Sequence, residues 1–236
     1  MTTSTSAPIA AKVQDWGAPQ APKPSIAVPL AVIVAAQAAL ALLAGLLSSL
    51  LVGFAVFVVL LVGLALYLGT AGGRWLGQSG ARPAGPDDSR AVNLCLGLAA
   101  DLGLPHPTVW VLDDVGSNAF GVWHRGPNVG VTSGLIENFT RTETEAAIAH
   151  RLVHLKEERA TPSWLLALGS LGSLTQPPAP GRLDTKTAAV TRYPPALASA
   201  LEKASVHSGK DSPLWFVGGE EGQRSVGARA EALRDL

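Results

Sequence analysis

The chain has 236 residues, 47% of them hydrophobic and only 15% charged, a balance that points to a membrane rather than to the cytosol. Lys+Arg and Asp+Glu stand at 18 each, so no basic excess exists to draw in nucleic acid, and none is expected as a partner. The single cysteine, Cys95, excludes an intrachain disulfide and any cysteine-based metal cluster, and it suits a reducing compartment.

Residues 1–24, rich in Thr, Ser, Ala and Pro and without apolar periodicity, predict a disordered leader. No charged residue stands between Lys23 and Arg74, and the run from Ser25 to Leu68 is almost wholly Ala, Leu, Val, Ile and Gly. One helix of that length would measure roughly 65 Å, about twice the bilayer core, so the run must turn back. Residues 25–69 therefore predict a transmembrane hairpin, with spans over about Ile26–Leu47 and Leu50–Leu68 and a turn at Ser48-Ser49. A cleaved signal peptide fits poorly, because the apolar run is far longer than a signal core and follows a polar leader. Lys12 and Lys23 precede the hairpin and Arg74 and Arg82 follow it. The positive-inside rule then predicts a multi-pass protein of the cell membrane, in contact with the lipid bilayer, with both termini and the soluble part cytoplasmic.

Residues 70–87, with Gly72-Gly73, Pro83 and Pro86, read as a linker, and Trp75 fits an interfacial aromatic belt. Residues 88–236 are expected to form the globular domain. Asp87-Asp88-Ser89 can cap a helix in which Leu94, Leu98 and Leu102 recur every fourth residue, and Gly103 stops it. Thr108–Leu112 reads as a buried strand and Val129–Thr132 as another. Thr140 and Glu143 have capping-box spacing, as do Thr142 and Glu145, and either starts a helix running to about Arg159 with Ile148, Leu152 and Leu155 on its core face. The apolar run Trp164–Leu174 is too short to span a bilayer; it grazes the membrane surface or closes the core. Pro177, Pro178 and Pro180 punctuate the chain before a helix over about Arg182–Ala204, kinked or broken at Pro194-Pro195, and a last helix over about Val226–Leu236.

The stretch His150-Arg151-Leu152-Val153-His154 carries the most chemical information. Two histidines at i and i+4 share one helix face, the spacing by which H-E-x-x-H binds Zn²⁺, while its glutamate takes a proton from metal-bound water. Arg151 occupies the glutamate position. A guanidinium has five donors, no acceptor and a lasting positive charge, so it can neither accept that proton nor favour a neighbouring dication.

In this order the pieces resemble the HtpX and CAAX prenyl protease family of membrane zinc metallopeptidases, gluzincins whose catalytic domain faces the cytosol. The resemblance begins near Ala91, passes through Gly103-Leu104-Pro105, Val109–Leu112 and Asn118-Ala119-Phe120, and continues over Val131-Thr132-Ser133-Gly134-Leu135 into the histidine helix. It ends weakly at Arg229–Leu236. It implies an α+β, mainly helical fold with a zincin-like domain behind the hairpin. It also implies a third metal ligand and an aspartate from an R-E-x-x-A-D pattern. Here the matching stretch is Arg182-Leu183-Asp184-Thr185-Lys186-Thr187, which puts Leu183 at the ligand position and Thr187 at the aspartate position, and Gln223-Arg224 replaces a His-Pro pair.

These departures predict a membrane-anchored peptidase homologue without proteolytic activity and with a regulatory or partner-binding role. The alternative is an active zinc endopeptidase with unusual ligands. His150 and His154 are expected to be a vestigial, hydrogen-bonded pair or a weak zinc site, so zinc is absent or weakly held. Arg151 is expected to pair with a carboxylate such as Asp184; Glu158, i+4 from His154, could reach the same face, but is expected to be a solvated residue at the helix end. His124 and His207 read as loop residues. By the resemblance, Asn118, Ala119 and Phe120 offer a backbone edge for strand addition by a peptide or a membrane-protein segment.

Overall fold

A computed structural model describes residues 25–174, 181–205, 212 and 214–236. The expected leader, the prolines at 177, 178 and 180, and His207 lie outside the described residues.

Helix α1 (Ala27–Leu47) and helix α2 (Leu50–Gly69) form an antiparallel hairpin turned at Ser48, with Ser49 accepting from the Val52 amide at the start of α2. Each is long and apolar enough to cross a bilayer, and their large side chains, among them Leu46, Leu50 and Phe54, face outward. The helices meet closely at Gly53, where an added Cβ would stand 2.7 Å from the Ala41 carbonyl oxygen and 2.9 Å from the Gly45 Cα. Gln37 Nε2 donates to the Leu60 carbonyl across the same interface at 3.3 Å.

The stretch expected as a linker has structure of its own. Helix α3 (Ala71–Ser79) follows α2 after Thr70, and it includes both Gly72 and Gly73. Its close packing on the sheet is the reason: a Cβ on Gly72 would lie 2.7 Å from the Trp123 carbonyl oxygen. Trp75 consequently lies in an aromatic cluster, 5.1 Å from Phe120 and 6.1 Å from Trp215 between ring centres.

Four strands follow the order β1-β2-β4-β3. β1 (Arg82–Pro83) is antiparallel to β2 (Thr108–Leu112), β2 is parallel to β4 (Pro127–Thr132), and β4 is antiparallel to β3 (Ala119–Trp123). Between β1 and β2 runs α4 (Ser89–Asp101), closed by Gly103 at φ 66, the left-handed conformation that glycine adopts without penalty. Phe120 lies opposite Gly130, and its ring fills the space where a side chain on Gly130 would stand.

A short helix, α5 (Ser133–Asn138), leads to α6 (Arg141–Glu158), whose start is the predicted box of Thr140 and Glu143. Glu143 donates its amide to Thr140 Oγ1 and accepts from the Thr140 amide, so two of the orphan donors at the helix start are satisfied. α6 is buried along nearly its whole length between the sheet and the C-terminal helices, with Ile148, Leu152 and Leu155 in the core as expected. The apolar run that follows forms α7 (Thr161–Leu168) and a 3-10 stretch, Gly169–Leu174. It docks at the base of the hairpin, where Tyr67 donates its hydroxyl to the Ala167 carbonyl at 3.0 Å.

The helix expected over 182–204 is two helices, α8 (Asp184–Thr191) and α9 (Pro194–Lys203). Arg192 at φ 57 and ψ 15 ends the first, and Pro194 and Pro195 occupy the opening turn of the second, where a missing N–H costs nothing. α10 (Gly219–Arg234) starts several residues before the expected position. The assembled fold is α+β and mainly helical, with the sheet small and the histidine helix at its centre.

Candidate functional site

The two histidines face one another on α6, with ring centres 4.7 Å apart. His150 is buried and has both ring nitrogens engaged. Arg151 Nη2 stands 3.0 Å from its Nδ1, and Asp184 Oδ1 stands 3.0 Å from its Nε2. A guanidinium can only donate, so Nδ1 is the acceptor; Nε2 therefore carries the proton and donates it to Asp184. Burial, reinforced by the Arg151 charge and opposed by the Asp184 hydrogen bond, holds the His150 pKa well below its ordinary value, and the ring is neutral.

Asp184 is where the sequence reading and the structure part. It opens α8 within reach of the histidine face and accepts from Arg229 of α10, Nε to Oδ2 and Nη2 to Oδ1, each at 2.8 Å. Burial would raise this carboxyl, but the hydrogen bonds from Arg229 and His150 outweigh it and keep it ionised far below the usual carboxylate range. The cation gripping Asp184 is thus Arg229, whereas Arg151 was the expected partner. Arg151 instead reaches across to β3's flank and donates Nη1 to the Leu214 carbonyl at 3.1 Å. Burial draws the Arg151 pKa down to about 9, which leaves it cationic at neutral pH.

His154 stands beside Glu158, Nδ1 to Oε2 at 3.3 Å, and burial lowers its pKa to about 4. Glu158 was expected in solvent; it is buried, and Arg182 donates to its other oxygen. Helical periodicity already puts it one turn from His154 on the same face. The distant partner Arg182 is what makes its burial tolerable.

Leu183, at the position of the expected third ligand, is 1% exposed and part of the main core. Thr187 returns its hydroxyl to the Leu183 carbonyl at 2.8 Å and is itself buried. Among the described residues no group of three or more His, Cys, Asp or Glu side chains is disposed to hold a metal ion. The donor set argues the same way: one histidine has no free lone pair, and the guanidinium of Arg229 lies 3.5 Å from the nitrogen facing Asp184.

The backbone edge at Asn118, Ala119 and Phe120 is a true sheet edge in strand order, but the chain covers it with its own segment. Gly121 donates to the Leu214 carbonyl at 2.9 Å, Phe216 donates to the Ala119 carbonyl at 2.7 Å, and Trp215 pairs antiparallel with Phe120. Asn118 secures this segment from beside the strand, giving Nδ2 to the Val217 carbonyl and accepting from the Val217 amide. All three edge residues are fully buried, so the edge is not open to a second peptide in this conformation. The sequence held a signal for it, since Leu214-Trp215-Phe216-Val217 is a short run of strand-favouring residues bounded by Pro213 and Gly218-Gly219.

Comparison with known proteins finds similarity over part of the chain. Residues 88–174 match the model of Peptidase family M48. A protease HtpX homolog of Dictyoglomus turgidum is 37% identical over 84 residues, which cover 34% of this chain and 28% of the relative. A protease HtpX homolog of Moorella thermoacetica is 33% identical over 112 residues, 46% of this chain and 37% of the relative. Protease HtpX of Baumannia cicadellinicola is 32% identical over 101 residues, 42% of this chain and 33% of the relative. The chain thus matches between about a quarter and two fifths of the length of these relatives.

Proposed function

We propose that this chain, whose residues 88–174 match Peptidase family M48 and lie behind two apolar, membrane-type helices, is a membrane-anchored, HtpX-like peptidase homologue that no longer hydrolyses peptides and acts by regulating or binding a partner. The observation that carries this reading is the occupation of His150 on both ring nitrogens, by Asp184 on one side and Arg151 on the other. A metal-bound water needs an adjacent acceptor for its proton, and the residue in that place has none. Zinc, which this family uses, is absent or weakly held in this chain, since ligation by His150 would require breaking its contact with Asp184 or Arg151. Two buried ion pairs tie the helices here, Arg229 of α10 to Asp184 of α8, and Arg182, just before α8, to Glu158 of α6.

The domain division that fits this role is a leader over 1–24, a hairpin over 25–69, a connecting stretch over 70–87 and the peptidase-like domain over 88–236. Lys12, Lys23, Arg74 and Arg82 favour a multi-pass protein of the cell membrane with both termini and the domain on the cytoplasmic side. Peptide or membrane-protein segments that add to the edge at Asn118, Ala119 and Phe120 would have to displace residues 214–216 first.

The second reading, an active zinc endopeptidase, has one observation in its favour: Glu158 lies beside His154 and is a carboxylate that a metal would accept. Metal analysis of the full chain purified in detergent separates the two. The proposal expects zinc well below one equivalent and no chelator-sensitive cleavage of casein. Stoichiometric zinc together with hydrolysis abolished by a chelator would overturn it.

A further inference from the structure

A cavity of about 490 Å³ opens where the C-terminal end of α2 meets the domain. Leu68 and Gly69 of the membrane helix form one wall, Trp123 and Trp164 contribute aromatic surface, and Arg125 and Arg159 supply positive charge. Among the described residues only Arg125, Arg159 and Arg192 are non-glycine residues at positive φ, and the first two both line this cavity. Arg159 is the more unusual, with φ 49 and ψ −120, a conformation normally left to glycine, at the C-cap of α6 where glycine is also the common choice. An arginine kept in a glycine's place costs stability, and its guanidinium lies 5.6 Å over the Trp123 ring, a cation–π contact that aims it. The acidic residues of the same wall already have partners: Glu157 pairs with Lys186 at 3.0 Å, and Glu158 with Arg182 and His154.

With α1 and α2 across a bilayer, as their length and composition allow, a site at the end of α2 would stand at the depth where lipid phosphates are found. We infer that the cavity binds the phosphate of an anionic phospholipid, Arg125 and Arg159 donating to its oxygens and the Leu68 wall receiving the start of the acyl chains. Two arginines suit a phosphate because each offers parallel donors to two oxygens, and the aromatic rings suit the glycerol region between phosphate and chains. The inference does not depend on whether the domain hydrolyses peptides.

The test uses the delipidated full chain in detergent, titrated with short-chain phosphatidylglycerol, short-chain phosphatidylcholine and inorganic phosphate while tryptophan fluorescence is followed. Phosphatidylglycerol should saturate the signal about tenfold or more tighter than phosphatidylcholine, and inorganic phosphate should compete only weakly. Arg159→Gly should remove most of that preference while raising the thermal midpoint, because glycine relieves the backbone; a merely structural arginine would move neither reading in that combination. Arg125→Gln, at an exposed side chain, provides the same comparison without touching α6. Equal affinity for the two lipids, or a preference that survives both substitutions, overturns the inference. Competition by inorganic phosphate as strong as that of the lipid would mean that a soluble anion, and not a membrane lipid, is the ligand.

Discussion

Arg229 and Asp184 form a two-pronged ion pair between α10 and α8, both contacts at 2.8 Å and both side chains less than a tenth exposed. A pair buried to this degree contributes little net stability against an apolar alternative, yet it is costly to break from one side. Arg229→Ala strands an ionised carboxylate beside His150 and should destabilise the domain by about 3–5 kcal/mol. Replacing both partners, Arg229→Met with Asp184→Leu, should recover much of that loss. Urea unfolding of the two variants in the same detergent decides it, and a double variant as unstable as the single one would count against the pair as the reason.

What the sequence made legible were the features fixed by neighbours along the chain. The hairpin followed from a run without charge, the start of α6 from Thr140 and Glu143, β2 from five consecutive β-formers, and the end of α4 from Gly103. The exchange at Arg151 was equally plain, because helical spacing alone puts it between the two histidines. Contacts made across long separations were not legible. Arg229 is 45 residues from Asp184, and Arg182 is 24 from Glu158. Glu158 taken singly reads as solvated and Asp184 as a partner for Arg151, and only the fold supplies Arg182 and Arg229. The cover over the β3 edge was hidden for the same reason: Leu214-Trp215-Phe216-Val217 is a short strand-like run, but its partner, β3, lies nearly a hundred residues away.

Restoring the glutamate alone should not restore hydrolysis. Arg151→Glu supplies an acceptor and gives up the contact with the Leu214 carbonyl, but Leu183 still offers no ligand and Asp184 still holds the His150 proton. Casein cleavage and zinc content should both stay at the level of the unaltered protein. The addition of Leu183→Glu and Thr187→Asp is the smallest change that supplies the missing carboxylates, and zinc content should rise only there. Activity in the single variant would show that the third ligand lies elsewhere.

The box at the head of α6 should give a stability change with a defined pH range. Burial would raise the Glu143 pKa, but Lys203, Ser199 and Thr140 lower it from 4.5 to about 2. A carboxyl depressed in the folded state contributes its full stability above its unfolded pKa and loses it as pH falls toward the folded one. Glu143→Gln should therefore cost about 1–3 kcal/mol at neutral pH, with the gap from the unaltered protein closing between pH 4.5 and about 2. Unfolding midpoints of the two proteins across that range test the assignment, and a gap independent of pH would argue that the loss is one of packing.

The hairpin offers a paired comparison of two glycines that sequence alone does not distinguish. Gly53 sits at the contact between α1 and α2, with no room for a Cβ beside Ala41 and Gly45, whereas a Cβ on Gly63 would meet nothing within 4 Å. Apolar helices in lipid gain little from hiding apolar side chains from each other, so their association rests on close backbone approach at small residues. Gly53→Leu should force the helices apart, break the reach of Gln37 to the Leu60 carbonyl, and lower the thermal midpoint of the full chain in micelles while speeding its digestion by protease. Gly63→Leu adds the same side chain at an open position and should change neither reading. If both variants behave alike, the close contact at Gly53 is not what holds the hairpin together.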